Sequence, residues 1–127
     1  MQALLLVGAG GAIGAMLRYG VSTLVGRLWP SDFPVATLVI NIAGSFAMGL
    51  LVGWLARAMP TWAAEARLFV AVGVLGGFTT FSAFSLEAIL LIERGALMQA
   101  ALYILLSVAL CLAGLYLGLL MTRGFPA

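Results

Sequence analysis

Histidine and paired cysteines are missing from this chain, and charged residues are few. Histidine is absent, one cysteine is present, and charged residues make up 8% of the 127 residues. The single cysteine, Cys111, excludes an internal disulfide framework, and without histidine or an acidic cluster a metal-based catalytic centre is not expected. The positive charges are six separated arginines, which form no basic patch for nucleic acid. We therefore expect no enzymatic activity, no organic cofactor and no nucleic-acid partner.

Apolar residues dominate what is present. Hydrophobic residues make up 65% of the chain and the mean hydropathy is +1.22, which is outside the usual balance of a soluble domain. A membrane helix needs roughly 20 mainly apolar residues, and four segments meet this requirement: 3–28, 35–55, 68–92 and 96–121. We therefore predict an all-α membrane protein in which residues 1–127 form a single transmembrane domain of four helices.

The flanks of these segments indicate how they meet the lipid bilayer. The first segment has no basic amino-terminal region and no short cleavable core, so we interpret it as a retained helix rather than a signal peptide. Trp29 and Trp54 end segments one and two, and Trp62 precedes segment three. Because tryptophan favours the membrane interface, these positions agree with the predicted ends of the helices.

Arginines are almost evenly divided between the two ends of the predicted helices. The side that holds both termini receives Arg57, Arg67 and Arg123, and the opposite side receives Arg27 and Arg94. Arg18 joins the second group if its side chain reaches that surface. Because insertion follows an excess of Lys and Arg in short loops, a chain without an excess is expected to insert in both orientations. We therefore predict dual topology and an antiparallel homodimer; a miscount of isolated arginines is the alternative.

The third apolar segment contains a polar, glycine-rich run, GGFTTFSAFSLE, from Gly76 to Glu87. A bilayer core has no water to satisfy backbone N–H and C=O groups, so such a run is tolerated only where it faces protein or an aqueous path. The two adjacent glycines are expected to interrupt the helix, and the two threonines after them offer N-cap oxygens. We therefore predict a third helix that is broken at 76–80, near the midplane, at a site for ions or small solutes.

The two half-helices would present opposite partial charges at the break. The carbonyl end suits a cation such as Na⁺, and the N–H end suits an anion. Phe81 and Phe84 adjoin on the resumed helix, and their electropositive ring edges are suited to stabilising a dehydrated anion. Phenylalanines at helical spacing more commonly pack in a core, so both interpretations stay open.

Segments two and four each carry small and polar residues along one face. On segment two the four-residue steps fall on Thr37, Asn41, Ser45, Gly49 and Gly53. On segment four the corresponding face holds Tyr103, Ser107, Cys111, Gly114 and Gly118. The two GxxxG pairs predict close helix packing. The Asn41 amide needs partners inside a bilayer, and either an anion or a neighbouring helix would serve.

Segment one contains GAGGAIGA, with Gly10 and Gly14, and then Arg18. The sequence imitates a dinucleotide-binding turn, but Ile13 stands at the third glycine position and no alternating βαβ unit fits the chain, so we reject that interpretation. The two glycines indicate packing. Arg18 has a stem long enough to reach the interface, where anchoring is favoured over attraction of an ion.

The chain as a whole resembles the Fluc fluoride channels, also called the CrcB family. The resemblance covers essentially the full length and rests on GGAIGAMLRY in segment one, PVATLVINIAGSF in segment two and, above all, GGFTTFSAFSLE in segment three. It implies a dual-topology homodimer in a bacterial inner membrane. It also implies two fluoride pores along the subunit interface and a structural Na⁺ at the centre of the dimer.

The resemblance further implies roles for individual residues. Gly76 and Thr79 would give backbone carbonyls to the sodium ion, and Asn41, Phe81 and Phe84 match residues that line the pores. Polar groups near the ion path would be Thr80, Ser82, Ser85, Glu87, Tyr103 and Ser107. The positions left for packing or interface contacts are Gly10, Gly14, Arg18, Gly49, Gly53, Gly114 and Gly118.

The function implied is passive export of fluoride, which would protect a cell from fluoride toxicity. A small multidrug-resistance-type proton antiporter is the alternative, because it shares four short spans and dual orientation. Such an exporter needs a titratable carboxylate in segment one, which has none; Glu87 is the one acid within the predicted spans. A third possibility is an assembly subunit that transports nothing and uses its small-residue faces for docking.

Overall fold

The computed structural model describes residues 1–124, and within them four helices are long and apolar enough to cross a membrane. Helix α1 spans Gln2–Leu28, α2 spans Val35–Ala58, and the last helix, α6, spans Leu97–Arg123. The third span runs over Ala63–Glu93. The chain is therefore an all-α, multi-pass protein, and the prediction of four membrane-length helices is confirmed.

The third span is composite. It begins with a short helix, α3 (Ala63–Ala66), continues as a π-helix over Arg67–Leu75, and returns to α-helical geometry in α4 (Gly76–Phe78). It then resumes as α5 (Phe81–Glu93). Between α4 and α5 the backbone of Thr79 (φ −80°, ψ 158°) and Thr80 (φ −152°, ψ 115°) is extended, so the span is bent there. We refer to Thr79–Thr80 as the interruption.

The interruption is shorter than the predicted break at 76–80 and starts later. Gly76 has helical dihedral angles (φ −63°, ψ −38°) and Gly77 lies within α4. The prediction that these two glycines interrupt the helix is wrong. Their role is spatial, because a Cβ on Gly77 would lie 2.6 Å from the Gly11 carbonyl oxygen of α1. A side chain there would force α1 away from the third span.

Helix α1 packs against the first half of the third span through glycines. Gly10 and Gly14 are buried. A Cβ on Gly10 would lie 3.0 Å from the Gly73 Cα, and one on Gly14 would lie 2.8 Å from the Phe78 backbone nitrogen. Because the backbones approach this closely, residues one turn further along α1 lie beside the end of α4.

Helices α2 and α6 form the second close pair. Gly49 lies against Leu115 and Leu119, and Gly118 lies against Phe46 and Leu50. Gly53 lies against Thr122 and Arg123. Gly114 differs, because a Cβ there would lie 3.6 Å from the Ile42 carbonyl oxygen, which is an ordinary contact distance. The GxxxG pairs of segments two and four thus meet each other within one chain, with Gly114 at the loosest point.

A small apolar core joins α5 to α6. Its buried members are Phe84, Ala88, Leu91, Ala100 and Tyr103. The Phe33 ring packs edge-on against Tyr103, with ring centroids 5.6 Å apart. At the same end, an Arg94 side-chain N–H donates to the Asp32 carbonyl at 3.3 Å, which ties the loop before α2 to the loop before α6. This core fixes the resumed helix α5 against the rest of the bundle.

The tight packing at Gly14 predicts that a larger residue there destabilises the protein. Gly14→Ala is expected to lower the free energy of unfolding by about 1–3 kcal/mol, the usual cost of overpacking, because the added methyl group meets backbone atoms that cannot move aside. Gly8→Ala is the matched control, since a Cβ at Gly8 meets no atom within 4 Å. Thermal unfolding of both purified variants in detergent measures the difference. Equal midpoints for the two variants would contradict the close packing of α1.

Candidate functional site

Asn41 of α2 pairs with the backbone of the interruption. Its Nδ2 donates to the Thr80 carbonyl oxygen at 3.0 Å, and its Oδ1 accepts from the Thr80 backbone N–H at 2.8 Å. The amide side chain thus presents one donor and one acceptor to the same residue, as a neighbouring strand would. In an uninterrupted helix the Thr80 N–H would donate to the carbonyl four residues earlier, which is that of Gly76.

The two threonines of the interruption bind the adjacent helix ends. The Thr79 hydroxyl donates to the Leu75 carbonyl at 3.0 Å. The Thr80 hydroxyl accepts from the Ala83 backbone N–H at 3.1 Å, which is an N-cap for α5. The N-cap role expected from the sequence therefore belongs to Thr80, while Thr79 binds back onto the preceding helix.

These pairings free two backbone carbonyls from their helical donors. The Thr80 N–H, which would serve the Gly76 carbonyl in a continuous helix, is bound to Asn41. The Ala83 N–H, which would serve the Thr79 carbonyl, is bound to the Thr80 hydroxyl. Gly76 and Thr79 are the two residues whose carbonyls the resemblance assigns to a cation.

Arg18 of α1 binds the end of the first half of the span. Its Nε donates to the Gly77 carbonyl oxygen at 3.1 Å, and this contact is partly buried. In a continuous helix that carbonyl would accept from the Phe81 N–H. An anchor at the membrane surface, the role that the sequence favours, would direct the guanidinium outward, whereas here the Nε binds within the bundle.

Two cavities border the interruption. The larger cavity has a volume of about 420 Å³. Six predicted site residues line it: Asn41, Thr79, Thr80, Phe81, Phe84 and Ser107. The remaining wall residues were not predicted from the sequence to belong to the site, namely Gly44, Ser45, Met48, Val108, Cys111, Leu112 and Leu115. Ser45 and Cys111 share helix faces with Asn41 and Ser107, so that periodicity was the available signal.

Aromatic rings form one wall of the larger cavity. The Phe81 and Phe84 ring centroids are 5.4 Å apart with the planes tilted by 44°, and Phe84 lies 5.1 Å from Tyr103. Phe84 is 9% exposed, whereas Phe81 is 78% exposed on the surface of the single chain. A large aromatic side chain that lines a cavity yet remains open on its other side indicates a surface that a second molecule or lipid covers.

Ser107 contributes an unpaired hydroxyl to the same cavity. The residue is 6% exposed, and its Oγ has no hydrogen-bond partner within residues 1–124. Burying a hydroxyl without a partner is unfavourable, and buried polar groups are normally hydrogen-bonded. Ser107 lines the larger cavity, but its Oγ atom is itself buried, so the side chain would have to rotate before its O–H could donate to an ion or water there.

The smaller cavity, of about 310 Å³, lies between α1, α2 and α5. Its polar wall consists of Arg18, Tyr19, Ser22, Thr37, Thr80 and Glu87. A Glu87 carboxylate oxygen accepts from the Tyr103 hydroxyl at 3.2 Å. Thr80 lines both cavities, so they adjoin at the residue that Asn41 holds.

Three predicted pathway residues line neither cavity. The Ser82 and Thr80 hydroxyl oxygens lie 3.2 Å apart in an exposed position. The Ser85 hydroxyl donates to the Phe81 carbonyl at 2.9 Å, one turn back along α5. Tyr103 is fully buried and directs its hydroxyl to Glu87. In the single chain these side chains therefore brace α5 and its surroundings.

Comparison with known proteins identifies the relatives of this chain. The family described as CrcB-like protein, Camphor Resistance (CrcB), matches residues 5–119. A relative from Hyphomonas neptunium, named fluoride-specific ion channel FluC, is 53% identical, and the match covers 97% of each chain. A protein of the same name from Beijerinckia indica is 54% identical over 97% of this chain and 98% of its own.

A third relative, from Roseobacter denitrificans and also named fluoride-specific ion channel FluC, is 53% identical over 98% of both chains. The matches therefore extend over all four spans. With the family match and these full-length identities, the chain belongs to the CrcB family.

Proposed function

We propose that this protein is a fluoride-specific ion channel that lets fluoride leave the cell passively and so protects it from fluoride toxicity. The observation that carries this proposal is the larger cavity, where an amide, an unpaired hydroxyl and aromatic rings converge at the interruption. Relatives at about 53% identity over the whole chain are named fluoride-specific ion channels, which supports the same assignment.

The donors at the larger cavity suit a small, strongly hydrated anion. Each Asn amide nitrogen carries two N–H groups, and that of Asn41 commits one to the Thr80 carbonyl, which leaves the other for an anion. The Ser107 hydroxyl has no competing partner within residues 1–124. Removing water from fluoride is costly, so several convergent donors are needed to replace its hydration shell.

Aromatic edges complete this set without adding charge. The rims of the Phe81 and Phe84 rings carry partial positive charge, and their rings lie side by side at the cavity wall. A fixed positive charge would hold fluoride tightly, whereas ring edges attract it weakly enough for it to leave. Conduction requires both favourable entry and easy release.

The direction of flow follows from the cell rather than from the protein. A negative interior drives an anion outward, and in acid surroundings HF enters as a neutral molecule and dissociates inside. A passive pathway then lowers internal fluoride without an energy source. We further propose that the protein lies in the inner membrane of a bacterium, as the resemblance to the fluoride channels implies. No contact among the described residues favours proton-coupled export, since Glu87 accepts a hydrogen bond from Tyr103 and no second acid lines either cavity.

An antiparallel homodimer would complete the site. Phe81 is largely exposed and lines a cavity that opens on the surface of one chain, and a second copy of the chain would close it. Because Arg18 binds inside the bundle, it drops out of the loop count, which leaves three arginines on one side and two on the other. That near balance supports insertion in both orientations.

A sodium ion at the centre of this dimer would fit the two carbonyls that are freed beside the interruption, those of Gly76 and Thr79. Gly76 and Thr79 have lost their helical donors to Asn41 and to the Thr80 hydroxyl. Hard cations prefer oxygen ligands, and the carbonyl end of a half-helix favours positive charge. Two carbonyls from one chain are few for such an ion, but a second copy doubles the number. The ion would supply positive charge between the two chains.

Fluoride efflux is the primary prediction. Liposomes that contain the purified protein and are loaded with fluoride are expected to release the fluoride once the membrane potential is dissipated. Liposomes loaded with chloride are expected to release it far more slowly, because the donors of the cavity favour the smaller anion. An ion-selective electrode measures both rates. Fluoride efflux no faster than from protein-free liposomes, or equal efflux rates for fluoride and chloride, would overturn the proposed function.

The aromatic rings at the cavity wall lead to a prediction about the rate of fluoride efflux. Phe81→Ile and Phe84→Ile are each expected to slow fluoride efflux about tenfold, equivalent to roughly 1.4 kcal/mol of lost stabilisation, because an aliphatic side chain has no positive edge. Tyr116→Ile, at an exposed aromatic residue that lines neither cavity, is the control. Parent rates in both phenylalanine variants would refute an ion role for the rings.

A further inference from the structure

Arg18 is a charged side chain that the proposed pathway does not use as a ligand. Its Nε donates to the backbone carbonyl of Gly77, 59 positions away in sequence. A charged group within a membrane span is costly unless it has partners. Here the partner is a carbonyl at the end of a half-helix, where partial negative charge accumulates.

The Arg18 contact complements the Asn41 contact. In a continuous helix the Thr80 N–H would donate to the Gly76 carbonyl, and the Phe81 N–H would donate to the Gly77 carbonyl. The interruption breaks both of these hydrogen bonds. Asn41 replaces the acceptor of the first pair, and Arg18 replaces the donor of the second. Side chains from two different helices thus hold the two sides of the interruption.

The glycine packing of α1 brings Arg18 to this place. Gly10, Gly14 and Arg18 follow one another at four-residue steps on one face of α1. The two glycines let α1 approach the third span closely, and Gly77 has room for no side chain against Gly11. The arginine one turn after Gly14 therefore lies beside the end of α4, within reach of its carbonyl.

Glu87 and Arg18 bind different partners in this structure. Arg18 and Glu87 line the same smaller cavity. The carboxylate is bound by the Tyr103 hydroxyl, and the Arg18 Nε is bound to the Gly77 carbonyl. The arginine is thus bound to the backbone of the third span through its Nε–H.

The geometry points to Arg18 as a positioning residue: by donating its Nε–H to the Gly77 carbonyl, it fixes the end of α4 so that Thr80 stays paired with Asn41 and the larger cavity keeps its shape. The effect on conduction rests on the proposed function, whereas the effect on the backbone does not. The essential property is a donor at this point of the side chain, and the positive charge is secondary.

Three substitutions separate the donor from the charge. Arg18→Gln keeps an N–H the same number of bonds from the backbone as the arginine Nε and removes the charge. Arg18→Met keeps the length of that chain and removes both donor and charge. Arg18→Lys keeps the charge and moves the donor one bond further out. Arg57→Met, at the exposed end of α2, is the control, and it leaves two loop arginines on each side.

Hydrogen–deuterium exchange of the 76–84 region, followed by mass spectrometry, reads the backbone directly. Arg18→Met is expected to speed exchange of the Thr80 and Ala83 amides about tenfold, the effect of losing one hydrogen bond. Arg18→Gln is expected to stay near the parent rate, and Arg18→Lys to fall between the two. Fluoride efflux is expected to follow the same order, with the slowest efflux in Arg18→Met.

Each outcome supports or overturns the assignment. Parent-like exchange in Arg18→Met refutes it, and so does an Arg18→Lys variant that matches the parent while Arg18→Gln does not, because charge would then be the essential property. If Arg18→Met does not fold, the comparison of Gln with Lys still decides. A parent protein that moves no fluoride, yet shows the expected order of exchange rates, would sink the proposed function and leave the positioning role standing.

Discussion

The structure depends on how the backbone polar groups of Thr79 and Thr80 are satisfied. Within a bilayer no water is available to replace helical hydrogen bonds, so an interrupted span persists only where protein groups take their place. Asn41 binds both backbone groups of Thr80, the Thr80 hydroxyl caps α5, and Arg18 binds the carbonyl of Gly77. The carbonyls of Gly76 and Thr79 are released as a consequence. The site therefore arises from the replacement of a few backbone bonds by side chains.

Glycine packing is the condition that lets these side chains reach the interruption. Gly14 on α1 and Gly77 on α4 bring two backbones into direct contact, which gives Arg18 its position. On α2, a Cβ at Gly44 would meet the Thr79 side chain and lie 3.3 Å from the Phe78 ring. One turn before Gly44, Asn41 faces Thr80. Close approach and polar pairing thus reinforce each other, since neither would be possible with larger side chains along these faces.

The sequence predicts the four spans because apolar runs of roughly twenty residues are the length that a bilayer requires of a helix. From the sequence, the break in the third span is predicted to start at Gly76, because adjacent glycines favour a helix break. In the structure it starts at Thr79, and Gly77 serves close packing against α1. The π-helix at Arg67–Leu75 left no signal in its apolar residues. The Asn41 and Arg18 partners lie 39 and 59 positions away, so periodicity alone could not identify them. Which helix faces meet is decided by packing, which composition does not encode.

Fluoride efflux by the Asn41→Asp variant tests the central claim most directly. The substitution keeps the size of the side chain but replaces the N–H donor to the Thr80 carbonyl with an oxygen and adds negative charge at the larger cavity. Size-exclusion chromatography verifies that the variant remains folded. The account predicts that the folded variant releases fluoride no faster than protein-free liposomes do. Efflux at the parent rate would contradict the claim that the Asn41–Thr80 pair builds the conducting site.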